Sequence, residues 1–355
     1  MKNFKANGLP LLIGSLPMES HEKATKLVLE YTPDIPLWVQ LPLYREEGMV
    51  PQFLPGLPGF TNGSDKNLLD TSKPEFNEEF LAFFEEYISI TESGADLCTS
   101  RFALSGARGK GFFEFLKQID EKKSPCIALK GQVTGPITFG TAVKDENNKD
   151  IFYNDQLKDA AIKKLALNAR WQAHEFSKRG AVPIIFIDEP ALAGFGTSAY
   201  ITITKEDVIQ SIEEIILEIH AENGLAGVHV CANTEWDMLL GSGLDIISFD
   251  AFSFFDRFIL YPERIKAYLD QKKILAWGIV PTGKKEVIAE QTTQGLIQLL
   301  HAQMDELADK TGVDKETIIS QSFIIPSCGT GSLDLDTAKM VLRLTKEVSA
   351  AFRQR

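Results

Sequence analysis

The residues of this chain that could do chemistry gather in a few short stretches, of which GVHVCANTEW, Gly227 to Trp236, is the richest. His229 and Cys231 stand two apart at the end of the apolar run LAGVHV. In an extended strand, residues i and i+2 point to the same face, so one imidazole and one thiol project together from a strand tip. Ninety-seven residues beyond Cys231, the run SFIIPSCGTG ends at Cys328 with a glycine turn behind it. Between them, LDIISFDAF closes on Asp250. An imidazole, two thiols and a carboxylate are a ligand set that zinc takes. The HxC spacing alone is a weak signal; three strand ends with compatible ligands strengthen it. A closed structural knot would carry CxxC spacings, and the sequence has none. The expected site is therefore open, or can be opened. Zinc held by thiolates is a poor activator of water but a good holder of a further thiolate, whose pKa it lowers. The chemistry this implies is alkyl transfer to a substrate thiol.

Such ligands need strands to carry them, and β-rich runs recur along the chain: PLLIGSLP, PLWVQLP, CIALKGQ, VPIIFIDEP, LAGVHVCA, LDIISFDAF, ILAWGIVP and SFIIPSCG. Between most of them lie stretches with apolar residues three and four apart, which predict helices. Examples are SHEKATKLVLEY, LKDAAIKKLALNARWQAHEFSKRG, TKEDVIQSIEEIILEIHAENG, PERIKAYLDQ and LDTAKMVLRLTKEVSAAF. Near-continuous apolar strands alternating with helices predict a parallel sheet covered by helices. Eight such units fit an α/β (β/α)8 TIM barrel better than an open doubly wound sheet, whose glycine-rich fingerprint is missing. One barrel domain is expected to span residues 1–355. A barrel takes about 250 residues, which leaves about 100 for insertions. These are placed at about 44–109, including the helix PEFNEEFLAFFEEYIS, and at 140–156, where DENNKD reads as a hairpin turn between two short strands. Both would lie on the catalytic face as candidate lids. On a barrel that face is built from the C-terminal strand ends, which is where every polar cluster falls: IGSLP, GQVTGP, Asp188-Glu189-Pro190, His229 with Cys231, Asp250 and Cys328.

The net charge of −12 argues against a nucleic-acid or anionic-membrane partner. No run approaches the roughly 18 apolar residues of a membrane helix, and the opening MKNFKANGLPLLIGSLP lacks the apolar core of a signal peptide. Four cysteines are too few for a disulfide scaffold at 355 residues. A cytoplasmic enzyme is expected. Cys98 and Cys126 read as core thiols, and Trp171, Trp236 and Trp277 as core, with Trp277 close enough to a strand end to line a pocket. His21, His174, His220 and His301 fall on helices without pairing and read as solvated or capping residues.

The motifs IGSLP, VTGPIT (Val133 to Thr138), IDEPAL (Ile187 to Leu192), HVC with TEW, IISFDA and PSCG, in that order, span almost the whole chain. The combination resembles the C-terminal catalytic barrel of cobalamin-independent methionine synthase and the related methylcobamide:thiol methyltransferases of the uroporphyrinogen decarboxylase-like superfamily. The resemblance implies that His229, Cys231 and Cys328 are zinc ligands. Asp250 falls where the synthases have a ligating glutamate that the substrate thiol replaces. Asp188 or Glu189 would meet the substrate ammonium, and the Ser15 backbone its carboxylate.

The sequence departs from the folate-using synthases in three ways. It has length for one barrel rather than two. Where the family has a histidine after strand seven, the proposed acid for the leaving folate nitrogen, it reads WGIVPTGKK, with Thr282 in that region. In place of the family's acidic motif for the homocysteine ammonium it has WVQLPLYREEGMVPQFLPGLPG. A methyl-corrinoid such as methylcobalamin, which departs without a proton, fits better than a folate as methyl donor. No DxHxxG corrinoid motif occurs, so a separate corrinoid protein is the expected partner. The expected function is zinc-dependent methyl transfer to a small thiol such as homocysteine. Alternatives are a folate-dependent enzyme, a decarboxylase on the same barrel, and a non-catalytic zinc or corrinoid-protein binding module.

Overall fold

The protein is described by a computed structural model, which places residues 4–61 and 67–354. Residues 62–66, within the first expected insertion, lie outside the described residues.

Eight strands are found among the described residues: β1 (Leu68–Leu69), β2 (Ala128–Thr134), β3 (Lys144–Asp145), β4 (Val182–Asp188), β5 (Leu225–Val230), β6 (Ile246–Phe249), β7 (Ile274–Val280) and β8 (Ser322–Pro326). Six of them form one curled parallel sheet in the order β2-β4-β5-β6-β7-β8. Each consecutive pair is joined through a connection carrying helix, as parallel pairing requires. The remaining two predicted runs, PLLIGSLP and PLWVQLP, are extended segments held by isolated parallel bridges. Pro10 bridges to Ile324 of β8, Ser15 to Gln40, and Leu37 to Lys130 of β2. Pro10 and Pro36 have no N–H to give a ladder, so these segments pair intermittently.

The sheet's two faces differ. Alternate residues such as Ala128, Ile184, Phe186, Leu225, Phe323 and Ile325 pack on an inner face with Leu11 and Ile13 of the first extended segment. Their neighbours Leu129, Ile185, Val228 and Ile247 pack outward under the helices, in a larger core. The longest helix, Asp155–Ser177, buries a polar stripe as well as an apolar one. Asn168 Nδ2 donates to Phe102 O at 2.7 Å, Gln172 Nε2 donates to Gln132 O at 2.9 Å, and the Lys164 ammonium donates to Arg101 O. The bonds to Arg101 and Phe102 pin the first insertion against this helix, and the bond to Gln132 ties the helix to β2.

The predicted helices form, including Phe76–Ser93 in the first insertion. The second insertion differs from the expected hairpin. Asn148 makes the turn at φ 60°, but Lys144–Asp145 pairs in parallel with Leu68–Leu69, and only one antiparallel bridge, Lys144 to Asp150, crosses the turn. Glu146 also accepts from Thr71 N at 2.9 Å, so the two insertions are joined to each other. No helix among the described residues is long and apolar enough to cross a membrane.

Candidate metal centre

In β5, Ala226, Val228 and Val230 face outward and Leu225 faces inward. Alternation then puts His229 on the inner face and Cys231 two residues on, just beyond the strand end. Cys328 follows β8 in a loop fixed from two sides. Ser327 N donates to Val280 O at 2.8 Å, and Thr330 N donates to Ser15 O at 3.0 Å. Gly331 N donates to Ser15 Oγ at 3.2 Å. The ligand atoms of His229, Cys231 and Cys328 all lie within 4.8 Å of one another.

These three side chains fit a metal ion. Ser248 Oγ lies 2.8 Å from His229 Nδ1 and fixes the ring, while Nε2 is buried with no hydrogen-bond partner. Leaving a buried ring nitrogen unpartnered is costly unless something takes it up. Burial, reinforced by the charge of Lys130, pushes the imidazole pKa down to about 3, so the nitrogen keeps its lone pair at neutral pH. The two thiols lie against each other. The hydrogen bond from Cys328 brings Cys231 down to about 7, and the same bond pushes Cys328 up. A neutral imidazole beside a pair with ready thiolate character is the donor state that zinc requires.

Asp250 is the first residue after β6, which pairs with β5. Its carboxylate caps the helix Ala251–Phe258, accepting from Ser253 N at 2.8 Å, and burial raises its pKa. It lies outside the three-residue group, and to serve as a ligand it would have to share or leave that cap. Asp188 and Glu189, adjacent in sequence, have different surroundings. Glu189 is fully buried and both its oxygens are used: Oε1 accepts from Ile137 N (2.8 Å), and Oε2 from Thr138 N (2.9 Å) and Thr138 Oγ1 (2.7 Å). It fastens the VTGPIT turn to the end of β4. The fit is close: a Cβ on Gly135 would lie 2.1 Å from the Glu189 side chain. Asp188 is aligned with His229 across β4 and β5, and its buried Oδ1 has no partner. Burial lifts its pKa to about 6 against the opposing pull of Lys130. The carbonyl and hydroxyl of Ser15 are committed to the loop after Cys328 (Thr330 Oγ1 to Ser15 O, 3.1 Å); its amide, the atom expected to meet a substrate carboxylate, is not among those bonds.

Two side chains near the site are not singled out by the sequence: Ser248 lies inside IISF and Lys130 inside ALKGQVT, runs otherwise read as core strand, whereas Gln132 belongs to the GQVTGP cluster. A lysine in the middle of such a run is the one signal that could have been followed. Three of the other histidines meet carboxylates: His21 with Glu47 (2.6 Å), His174 with Glu222 (3.0 Å) and His220 with Asp245 (2.7 Å). Cys98 and Cys126 are partly buried at the edge of the main core, and Cys98 also meets Glu175 and Lys178. Trp171, Trp236 and Trp277 are buried; Trp277 Nε1 donates to Ser322 Oγ at 2.9 Å, which places the ring in the core.

No protein-family model matches the chain. Over 227 residues it is 26% identical to a protein named methionine synthase from Methanocaldococcus jannaschii. That similarity covers 63% of this chain and 65% of the archaeal protein, a little less than two thirds of the latter's length.

Proposed function

We propose that this chain is a zinc-dependent methyltransferase of the methionine synthase type, acting on a small thiol such as homocysteine. The observation that carries the reading is the convergence of the unpartnered His229 Nε2 with the sulfurs of Cys231 and Cys328. The similarity to a protein named methionine synthase supports it independently. The sheet is read as a (β/α)8 barrel closed by the two extended segments, and the bridges at Pro10, Ser15 and Leu37 support that closure. His229, Cys231 and Cys328 would hold the metal, with Asp250 as a fourth ligand or near-ligand. Zinc bound there supplies an acceptor thiol already held as thiolate at neutral pH.

The protein's own groups then account for orientation. The free Asp188 Oδ1 takes the ammonium of an amino-acid thiol. Glu189, with both oxygens engaged, holds the turn behind it. The Ser15 amide faces the substrate carboxylate. A folate donor needs a positioned acid for its leaving nitrogen. After β7 the chain offers Thr282, a hydroxyl already hydrogen-bonded to Ser327 Oγ at 3.0 Å. A methyl-corrinoid donor, presented by a separate protein, is therefore the reading favoured. The test is a side-by-side assay of zinc-loaded protein with homocysteine and either methylcobalamin or methyltetrahydrofolate. Turnover with the corrinoid is expected; turnover with the folate alone would overturn the donor, and turnover with neither would overturn the activity.

A further inference from the structure

Lys130 stands in the middle of β2, with Ala128 on the same face packed in the inner cluster. The side chain is wholly buried, and its ammonium has no hydrogen-bond partner. It lies 4.3 Å from the centre of the Phe186 ring, on β4, two residues before Asp188. Asp188 and Phe186 share a face by alternation. The lysine therefore rises inside the sheet to a level just beneath Asp188, whose Oδ1 is also buried and unpartnered. Gln132, next along the same face of β2, leaves its Oε1 unpartnered too. Evolution of a stable core would remove such a charge, since a buried ammonium without hydrogen bonds costs several kcal/mol. The cation–π contact with Phe186 offsets part of that cost but gives the ammonium no hydrogen bond.

We propose that Lys130 is a positioning residue, the fixed counter-charge that allows an anionic Asp188 to stand buried and receive the ammonium of an amino-acid thiol. The proposal rests on the reading of Asp188 given above. It explains why a cation is buried where no acceptor touches it: its partner is the charge of the substrate-binding carboxylate one layer up, through a low-dielectric interior in which such attractions reach further than in water. A charge placed below the carboxylate, rather than beside it, leaves the free oxygen open to the substrate.

The experiment is calorimetric binding to zinc-loaded protein of two thiols: homocysteine, and 4-mercaptobutanoate, which keeps the thiol and carboxylate but has no ammonium. In Lys130→Met, homocysteine should bind at least about tenfold more weakly, the equivalent of one pKa unit of lost charge interaction. The des-amino thiol should bind within about twofold of the parent, on the same tenfold scale. Lys130→Arg, which keeps the charge, should restore the preference for homocysteine. Lys130→Gln repeats the test with a neutral residue of different packing, in case the methionine variant does not fold. Equal weakening of both thiols, no change, or tighter homocysteine binding would each overturn the proposal. So would a failure of both neutral variants to fold, which would make the lysine structural. Asp188→Asn is the separate arm: if it leaves the preference for homocysteine intact, the assignment of Asp188 fails, whatever Lys130 does.

Discussion

Glu189→Gln is the substitution whose outcome separates two physical effects acting on one carboxylate. Both oxygens of Glu189 accept hydrogen bonds, from Ile137 N, Thr138 N and Thr138 Oγ1. A glutamine keeps the shape but turns one oxygen into an NH2 that faces donors, so at least one bond is lost and a buried N–H is left unpaired. At about 1–3 kcal/mol for each such loss, the variant should be less stable by about 2–4 kcal/mol. The pH dependence identifies the larger effect. Burial pushes the Glu189 pKa up to about 7 although three donors pull it down. A carboxyl whose pKa rises on folding contributes stability that is fully present below its unfolded value, near 4.5, and is lost as pH rises through about 7. The loss amounts to about 3 kcal/mol over that window. Glutamine has no such dependence. Denaturant unfolding of parent and variant, both stripped of zinc, should therefore show the widest gap near pH 5 and a narrower one near pH 8. A gap that widens with rising pH would instead mean that the hydrogen bonds outweigh burial at Glu189.

Other substitutions test neighbouring parts of the site. Ser248→Ala removes the contact that fixes His229 Nδ1 and should weaken zinc binding by about 10–100-fold in a competition titration with a chelator. Gly278→Ala would put a Cβ 2.6 Å from Phe249 O and 2.9 Å from Ser327 Cα, forcing apart the strand ends that carry Asp250 and Cys328; loss of zinc together with a lowered melting temperature is expected. Thr282→Val should leave methyl transfer from methylcobalamin unchanged within about twofold, far short of the 10²–10⁴-fold that removing a general acid costs.

Much of this architecture is legible in the sequence because strand and helix periodicities differ and the strand ends carry unusual side chains. His229, Cys231 and Cys328 can be picked out because two separate strand ends carry side chains of compatible ligand type, a stronger signal than the HxC spacing alone. The two proline-bearing runs are recognisable as extended, but not as segments too poor in donors to make a continuous ladder. The pairing of Leu68–Leu69 with Lys144–Asp145 cannot be read from either insertion, because parallel pairing between distant segments leaves no local turn signal. Lys130 and Ser248 are hidden for the opposite reason: strand alternation says which face they occupy, but not that this face surrounds the site. Asp188 and Glu189 look equivalent as neighbours. Their difference arises from the contacts of Glu189 with the VTGPIT turn, in which Ile137 lies 52 positions away in the sequence.

Zinc-edge X-ray absorption addresses the three-residue centre directly. Protein purified without chelator, recorded before and after addition of homocysteine, should contain about one zinc per chain, as a single site requires. The first spectrum should show two sulfur ligands, from Cys231 and Cys328, together with imidazole nitrogen. The second should show the sulfur count rise by the thiol of the substrate. Absence of zinc, or a sulfur count that stays the same when the thiol is added, would contradict the account.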